Sequence, residues 1–338
     1  MSAQIGVIGT GGIGQQHIER IMTRMSGAKV VAVNDVDEEL CESVAKKWGL
    51  RVEHDPYSLI NAADVNAVLI ASWDPTHEDF CIAAIRAGKP VFCEKPLADT
   101  SKGCKRIMES EMESGKHLIF VGFMRRYDRG YNELREAVET GQLGRPLIFH
   151  CKHRNPHPFG TVHTTDMSVT GSLVHEFDVI RYLIGEDDPY ISAQLVCPRP
   201  SKYAAGDLMD PQLVYLETKS GVRINIESFV NCRYGYDVQC EIVGEEGTAS
   251  LPDLPHILTK QTGRQGIRID EHFGPRFPEA YDLEMRDWLD SLENGKSMGA
   301  NAWDGYVTAA VAEACIEARK KQQVVPIQLG ERPSFYKK

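Results

Sequence analysis

The chain has nine cysteines, an odd number, and no two of them stand as C-x-x-C. Neither a zinc ribbon nor a complete disulfide framework is expected. Cys41, Cys81, Cys93, Cys104, Cys151, Cys197, Cys232, Cys240 and Cys315 read as scattered free thiols of a reducing cytoplasm, with no metal site. No apolar run reaches transmembrane length, and the chain enters its first strand without the basic stretch and apolar core of a secretory leader. An excess of positive charge is missing too: 38 Lys and Arg face 48 Asp and Glu, a net charge of −10. That balance argues against nonspecific nucleic-acid binding and against an anionic membrane surface. No internal repeat or low-complexity segment interrupts the 338 residues, a length that suits two domains with ample core.

What is present is organised around Gly9-Thr10-Gly11-Gly12-Ile13-Gly14. The stretch follows the apolar run Ile5-Gly6-Val7-Ile8 and opens a helix through Gln15, His17, Ile18 and Ile21. In a G-x-G-x-x-G turn the first glycine permits the tight bend and the second lets the backbone approach a pyrophosphate. The third lets helix and strand pack closely, and the helix N-terminus supplies amide donors. A second strand, Lys29 to Asn34, leads to Asp35, about twenty residues past Gly14, where an acid binds adenosine ribose hydroxyls. Val36 and Asp37 follow, with no Arg or Lys to meet a 2′-phosphate, so NAD is favoured over NADP.

The early chain alternates strand and helix. Strands are predicted at 4–8, 29–34, 67–72, 90–93 and 117–121, and helices at 38–48, 76–87 and 100–114, with Thr76 as an N-cap. The fold class expected over residues 1–122 is an α/β Rossmann-type parallel sheet domain, with ligands beyond the C-terminal strand ends at Gly9, Asp35, Ser72-Trp73, Glu94-Lys95 and 122–124. Over 123–338 the pattern predicts an α+β domain for substrate binding and oligomerisation. It has helices at 127–139 and 172–184, then a large open antiparallel sheet from strands at 147–153, 191–196, 213–218, 222–229, 237–243 and 248–251. Helices at 279–292 and 302–321 close the chain, the last one placed to pack back on the Rossmann domain. Residues 156–170 and 254–276 read as long loops.

Lys95, at the carboxyl end of a short buried strand, is placed to hydrogen-bond a substrate hydroxyl and stabilise a developing alkoxide; the bland alternative is a surface lysine paired with Glu94. In the helix after Gly171, residues Leu173, Phe177, Ile180 and Ile184 share the core side, and His175, Asp178 and Tyr182 the other. An imidazole suits the base that takes a hydroxyl proton near neutral pH, and a capping or surface histidine is an equal reading of the geometry alone. Arg125 and Arg126 point in different directions, one toward a cleft and one toward a carboxylate or another subunit, and a structural ion pair is the ordinary reading of either. Tyr234 and Tyr236 fall on one face of a strand start, as contacts to a polar substrate or as packing in a sheet interface.

The sequence resembles the Gfo/Idh/MocA oxidoreductase family, and within it the branch that oxidises inositols. The matching stretches are G-T-G-G-I-G at 9–14, V-N-D-V-D at 33–37, E-K-P-L-A at 94–98, G-F-M-R-R-Y-D at 122–128, H-E-F-D at 175–178, Y-G-Y at 234–236 and A-W-D-G-Y at 302–306. The resemblance implies an NAD-dependent dehydrogenase acting on CH–OH. It would oxidise a secondary ring hydroxyl of myo-inositol or a stereoisomer to the ketone by hydride transfer. It implies Lys95 and His175 as catalytic residues, and Met124, Arg125, His153, Asp178, Tyr236 and Tyr281 as lining for the polyol. Ser72, Trp73, His77, Glu94, Lys95 and Trp303 would join Gly9, Gly11, Gly12, Ile13, Gly14 and Asp35 around the cofactor. With the open sheet it implies a homotetramer. One position departs: the family's D-x-x-x-H aspartate, four residues before the histidine, is Gly171 here. Asp166 and Asp178 are the nearby acids in sequence. The alternatives this departure opens are an aldose or glucoside dehydrogenase, with more room in the pocket, and a catalytically weak dinucleotide-binding sensor.

Overall fold

The computed structural model describes residues 2–158, 163–252, 256–295 and 299–337. Parts of the two expected loops, 159–162 and 254–255, lie outside the described residues. The chain divides into two units, the first comprising Met1–Phe123, Tyr281–Ala309 and Glu331–Lys338, the second Met124–Ala280 and Ala310–Gly330.

The first unit begins β1 (Ala3–Ile8), α1 (Gly12–Arg24), β2 (Ala28–Asn34), α2 (Glu38–Trp48), β3 (Arg51–Val52), α3 (Pro56–Asn61), β4 (Ala67–Ile70), α4 (His77–Arg86), β5 (Val91–Glu94), α5 (Ser101–Ser114) and β6 (Ile119–Gly122). The six strands form one sheet in the order β3-β2-β1-β4-β5-β6, every pair parallel. The apolar strands are short because each is buried on both faces: all four residues of β4, β5 and β6 are buried. The order reverses at β1, flanked by β2 and β4, which makes the end of β1 the switch point of the sheet. The two-residue β3 is too short to carry a readable pattern, and with α3 it was not expected. Thr76 is not a side-chain cap. A 3₁₀ turn, Asp74–Thr76, precedes α4, and the Thr76 hydroxyl donates back to Trp73 O at 2.7 Å. The C-terminal tail returns to this unit, where the Tyr336 hydroxyl donates to buried Glu111 at 2.6 Å.

The second unit runs α6 (Arg129–Glu139), β7 (Pro146–Arg154), α7 (Thr165–Met167), a π-helical turn (Ser168–Leu173), α8 (Val174–Ile184), β8 (Tyr190–Val196), β9 (Gln212–Thr218), β10 (Arg223–Phe229), β11 (Asp237–Gly244), β12 (Thr248–Ser250), β13 (Leu258–Gln261) and β14 (Arg264–Ile267). Helices α9 (Pro278–Asn294) and α10 (Ala302–Lys321) are each shared between the units, and β15 (Val325–Pro326) ends the second. Its large sheet has the order β12-β11-β7-β10-β9-β8-β15. The sheet is mostly antiparallel, as expected, with one parallel pair, β10 against β7. Helix α8 intervenes between β7 and the β8–β10 meander, and a helical crossover frees the later strand from hairpin direction. One face is buried through Phe149, Cys151 and His153 of β7, Ile224, Ile226 and Ser228 of β10 and Val238, Cys240 and Ile242 of β11. Helix α8 packs on the sheet, and Tyr190 donates to Phe177 O at 2.8 Å. The expected loop at 254–276 contains the hairpin β13–β14, whose residues are all exposed and show no inward alternation.

Candidate active site

In the first unit, Gly9 takes φ +100°, and a Cβ there would sit 2.3 Å from Ala71 O; a Cβ on Gly14 would sit 2.0 Å from Gly9 O. Only glycine permits this strand-to-helix turn. Above Gly11 and Gly12 the reverse holds, since a Cβ on either meets nothing within 4 Å. Helix α1 starts there with no side-chain cap and no acid in its first turn. Its first amides therefore have no side-chain cap and carry a positive partial charge, a donor set that fits a dinucleotide pyrophosphate. Asp35, at the end of β2, braces this turn: its Oδ2 accepts from Thr10 N at 2.5 Å and Thr10 Oγ1 at 3.0 Å. Val36 beside it is fully exposed.

The ends of β4 and β5 are tied together by His77, whose Nδ1 lies 2.7 Å from Pro96 O and Nε2 3.1 Å from Ser72 O. His77 is buried and holds the two segments that carry Ser72 and Lys95. Ser72 Oγ and Thr76 Oγ1 are 2.7 Å apart, and Trp73 is 74% exposed, its ring left for a ligand to cover. Glu94 is buried, with Oε1 2.7 Å from His17 Nε2. Burial raises its carboxyl, but the His17 hydrogen bond and the neighbouring Lys95 hold it below the ordinary value. Tyr281 is buried against His17, ring centroids 5.9 Å apart, and Trp303 packs against Tyr306 at 5.1 Å.

In the second unit, α8 is buried from Val174 to Arg181, on its polar side as well as its apolar one. The carboxylates Glu176 and Asp178 keep their charge there because each is paired with an arginine. Arg125 and Arg126, on a 3₁₀ turn with buried Met124, do point in different directions, and both end on carboxylates of α8. Arg126 grips Asp178 with two bonds, Nε to Oδ2 at 2.9 Å and Nη2 to Oδ1 at 2.5 Å. Arg125 Nη1 donates to Glu176 Oε1. His153 Nδ1 lies 2.8 Å from Glu176 Oε2 and 3.3 Å from Arg125 Nη2. The nearer carboxylate accepts the Nδ1 hydrogen bond, and in the neutral ring that tautomer leaves the lone pair on Nε2. Burial raises the Glu176 carboxyl, while Arg125 and His153 bring it below its ordinary value. The rings of His175 and Tyr236 lie 6.5 Å and 6.1 Å from His153. Three expected residues, Arg125, His153 and Tyr236, are thus gathered around one carboxylate, Glu176, to which the sequence reading gave no role, and Met124 and His175 are buried in the same unit. The signal for it was a buried-helix acid in the same sequence as an Arg-Arg pair, since a buried charge needs a partner.

The two tyrosines do not share a face. Arg233 takes φ +72° and Gly235 φ +142°, which breaks the pleat before β11 begins. Tyr236 is 6% exposed, whereas Tyr234 is 44% exposed and donates to Asp237 at 2.6 Å. Gly171 lies inside the π turn, and a Cβ there would meet nothing within 4 Å. Asp166 is engaged by Arg319 Nη2 at 2.6 Å and Lys320 Nζ at 3.4 Å.

Residues 3–123 match the oxidoreductase family described as an NAD-binding Rossmann fold, and residues 135–329 match the C-terminal alpha/beta domain of the same family. The inositol 2-dehydrogenase of Burkholderia cenocepacia is 51% identical over 339 aligned residues, covering 100% of both chains. That of Azotobacter vinelandii is 50% identical, covering 99% of both. The crystal structure of myo-inositol dehydrogenase from Lactobacillus casei in complex with NAD(H) and myo-inositol superposes with a TM-score of 0.95 at 37% identity, covering 100% of both chains. Sequence and architecture agree end to end: this chain belongs to the Gfo/Idh/MocA oxidoreductase family.

Proposed function

We propose that the chain is an NAD-dependent dehydrogenase that oxidises a secondary ring hydroxyl of an inositol to the ketone. The reading is carried by the end-to-end similarity to proteins named inositol 2-dehydrogenase, with the dinucleotide cradle at Gly9–Gly14 retained. NAD, when bound, supplies the acceptor for the carbon-bound hydrogen as hydride. Gly11, Gly12, Ile13 and the first turn of α1 would hold its pyrophosphate, and Asp35 its adenosine ribose. Ser72, Trp73, His77, Glu94 and Trp303 would serve its nicotinamide end.

Lys95 donates a hydrogen bond to the reacting oxygen and His175 takes the hydroxyl proton, so a secondary alcohol leaves as a ketone. His153 presents Nε2 as an acceptor for one polyol hydroxyl. Arg125, Tyr236 and Tyr281 read the others, Met124 lines the site, and Asp178, held through both oxygens by Arg126, braces it. A polar group left unpaired is what rejects a wrong stereoisomer. The enzyme works in the cytoplasm as a homotetramer. Its nine free thiols accord with a reducing compartment, and Tyr215 is left exposed on the outward side of the large sheet. Among the described residues no helix is long and apolar enough to cross a membrane.

The test is NADH formation by absorbance with NAD and a panel of myo-, scyllo- and chiro-inositol, glucose and xylose. Turnover on an inositol is expected. Turnover on sugars alone would replace the substrate class, and NAD binding with silence across the panel would overturn the catalytic reading.

A further inference from the structure

Helix α1 does more than present its N-terminus. His17 lies three residues past Gly14 and Arg20 three further on, so both leave the same side of α1, about one turn apart. His17 is fully buried. Its Nε2 is 2.7 Å from Glu94 Oε1 and its Nδ1 3.1 Å from Arg20 Nη1. A guanidinium can only donate, so Nδ1 must accept and Nε2 must carry the proton that Glu94 receives. Arg20 donates its Nε to Asp282 Oδ1 at 2.7 Å, and its guanidinium stands 5.0 Å from the centre of the Tyr281 ring. The other oxygen of Glu94 accepts the backbone N–H of Lys95 at 3.3 Å. A continuous polarised chain therefore runs Asp282, Arg20, His17, Glu94, Lys95, all within the first unit.

We propose that His17 and Arg20 are positioning residues that fix, from the dinucleotide-binding helix, both the Glu94 carboxylate beside Lys95 and the ring of Tyr281. The inference rests on the proposed function only for the roles of Lys95 and Tyr281. The coupling is physical because α1 is one rigid element. Its first turn forms the pyrophosphate cradle, and its second holds the residues assigned to the reacting oxygen and the polyol. Glu94 is faced by His17 from α1, by Cys93 and Lys95 on either side of it in the chain, and by uncharged Gly122 on β6, while Arg20, Tyr281 and Asp282 stand behind His17. His17 donates a side-chain hydrogen bond to the Glu94 carboxylate, so its removal leaves a buried carboxylate that protonates more readily.

The experiment compares His17→Ala, His17→Gln and the double variant His17→Ala/Glu94→Gln with wild type. His17→Ala should lower kcat/KM about ten- to hundred-fold. It should also move the acid limb of the pH profile upward by about one unit or more. His17→Gln, whose amide reaches the place of Nε2, should recover most of both. Infrared difference spectra at neutral pH should show a protonated-carboxyl band in His17→Ala that is absent from wild type and from the double variant. Should the alanine variant fail to fold, His17→Asn, too short to reach Glu94, carries the same comparison. A lowered Tm with the wild-type pH profile and no new carboxyl band would reduce His17 to a packing residue and overturn the proposal. The infrared result needs no turnover, so a protein inactive on inositols would sink the functional reading and leave this one standing.

Discussion

Replacing Glu176 with glutamine tests the buried charge cluster of the second unit. The substitution keeps size and one oxygen but removes the charge. Arg125, 1% exposed, then faces an amide, and the amide NH₂ is a donor directed at His153 Nδ1. Removing one partner of a buried ion pair costs about 3–5 kcal/mol, because the other charge stays buried. For a domain of ~150–250 residues each kcal/mol moves Tm by about 2–4 °C, so a fall of roughly 6–20 °C is expected. The sign with pH follows from the carboxyl's direction. Its folded value lies below the unfolded one, so its contribution is complete above the unfolded carboxylate value of ~4.3 and is lost as pH falls through the folded value. Calorimetry should therefore find wild type and Glu176→Gln well apart near neutrality and converging in acid. Turnover should fall as well, because an amide donor forces the His153 proton from Nδ1 to Nε2 and reverses what that ring offers a hydroxyl. A variant that melts within a degree of wild type at neutral pH, or a gap that does not narrow in acid, would refute the reasoning.

Replacing His175 with alanine should lower kcat by about 10²–10⁴ and abolish the rise of activity with pH near the imidazole pKa; a variant with wild-type turnover would remove His175 from the role of base. Glu111 gives the opposite pH sign to Glu176. Burial raises its carboxyl despite hydrogen bonds from Tyr336, Ile119 and Leu118, so the folded state holds its proton more tightly and stability falls as pH rises through the folded value. Glu111→Gln should flatten that slope and be more stable than wild type above it, which thermal melts across pH would show; a glutamine variant less stable there contradicts the assignment.

Much of the first unit was legible because local pattern and tertiary role coincide. Five of its six strands are apolar runs that burial on two faces requires, and Gly9 and Gly14 announce a turn that no other residue permits. β3 escaped because two residues carry no period. In the second unit the strands alternate and were readable, but the parallel partner of β7 was not, since a crossover leaves no mark in either strand. Tyr234 and Tyr236 show how a period-two reading fails: two positive φ values undo it, and one of them is at Arg233, where the residue type gives no warning. The candidate site was read residue by residue from motifs, whereas its supports were not. His17 and Glu176 hold the site residues Glu94 and His153, 77 and 23 positions away, and Arg20 is tied to Asp282, 262 positions away; no local spacing records such pairings.

Gly171 is where the motif and the geometry part, and the carboxylates near it are already engaged. Asp166 is held by Arg319 and Lys320, Asp178 by Arg126, and Glu176 by Arg125 and His153. None of them takes the place of an acid at 171. The π turn from Ser168 to Leu173 gives position 171 a wider arc than an α-helical residue four before His175 would have, and open space surrounds its Cβ direction. Gly171→Asp should therefore fold without clash and gain a few tenths of a kcal/mol from helix propensity. A carboxylate there favours the imidazolium that forms as His175 takes the proton. We expect kcat on an inositol to rise about tenfold, a fraction of the ~10²–10⁴ that positioned proton transfer supplies, with the pH profile displaced upward. Steady-state kinetics across pH on Gly171→Asp and Gly171→Asn separate charge from shape, because the asparagine fills the same space without the carboxylate. If both variants keep Tm and lose turnover alike, the glycine serves to make room for the substrate, and the proton leaves His175 by a route in which residue 171 has no part.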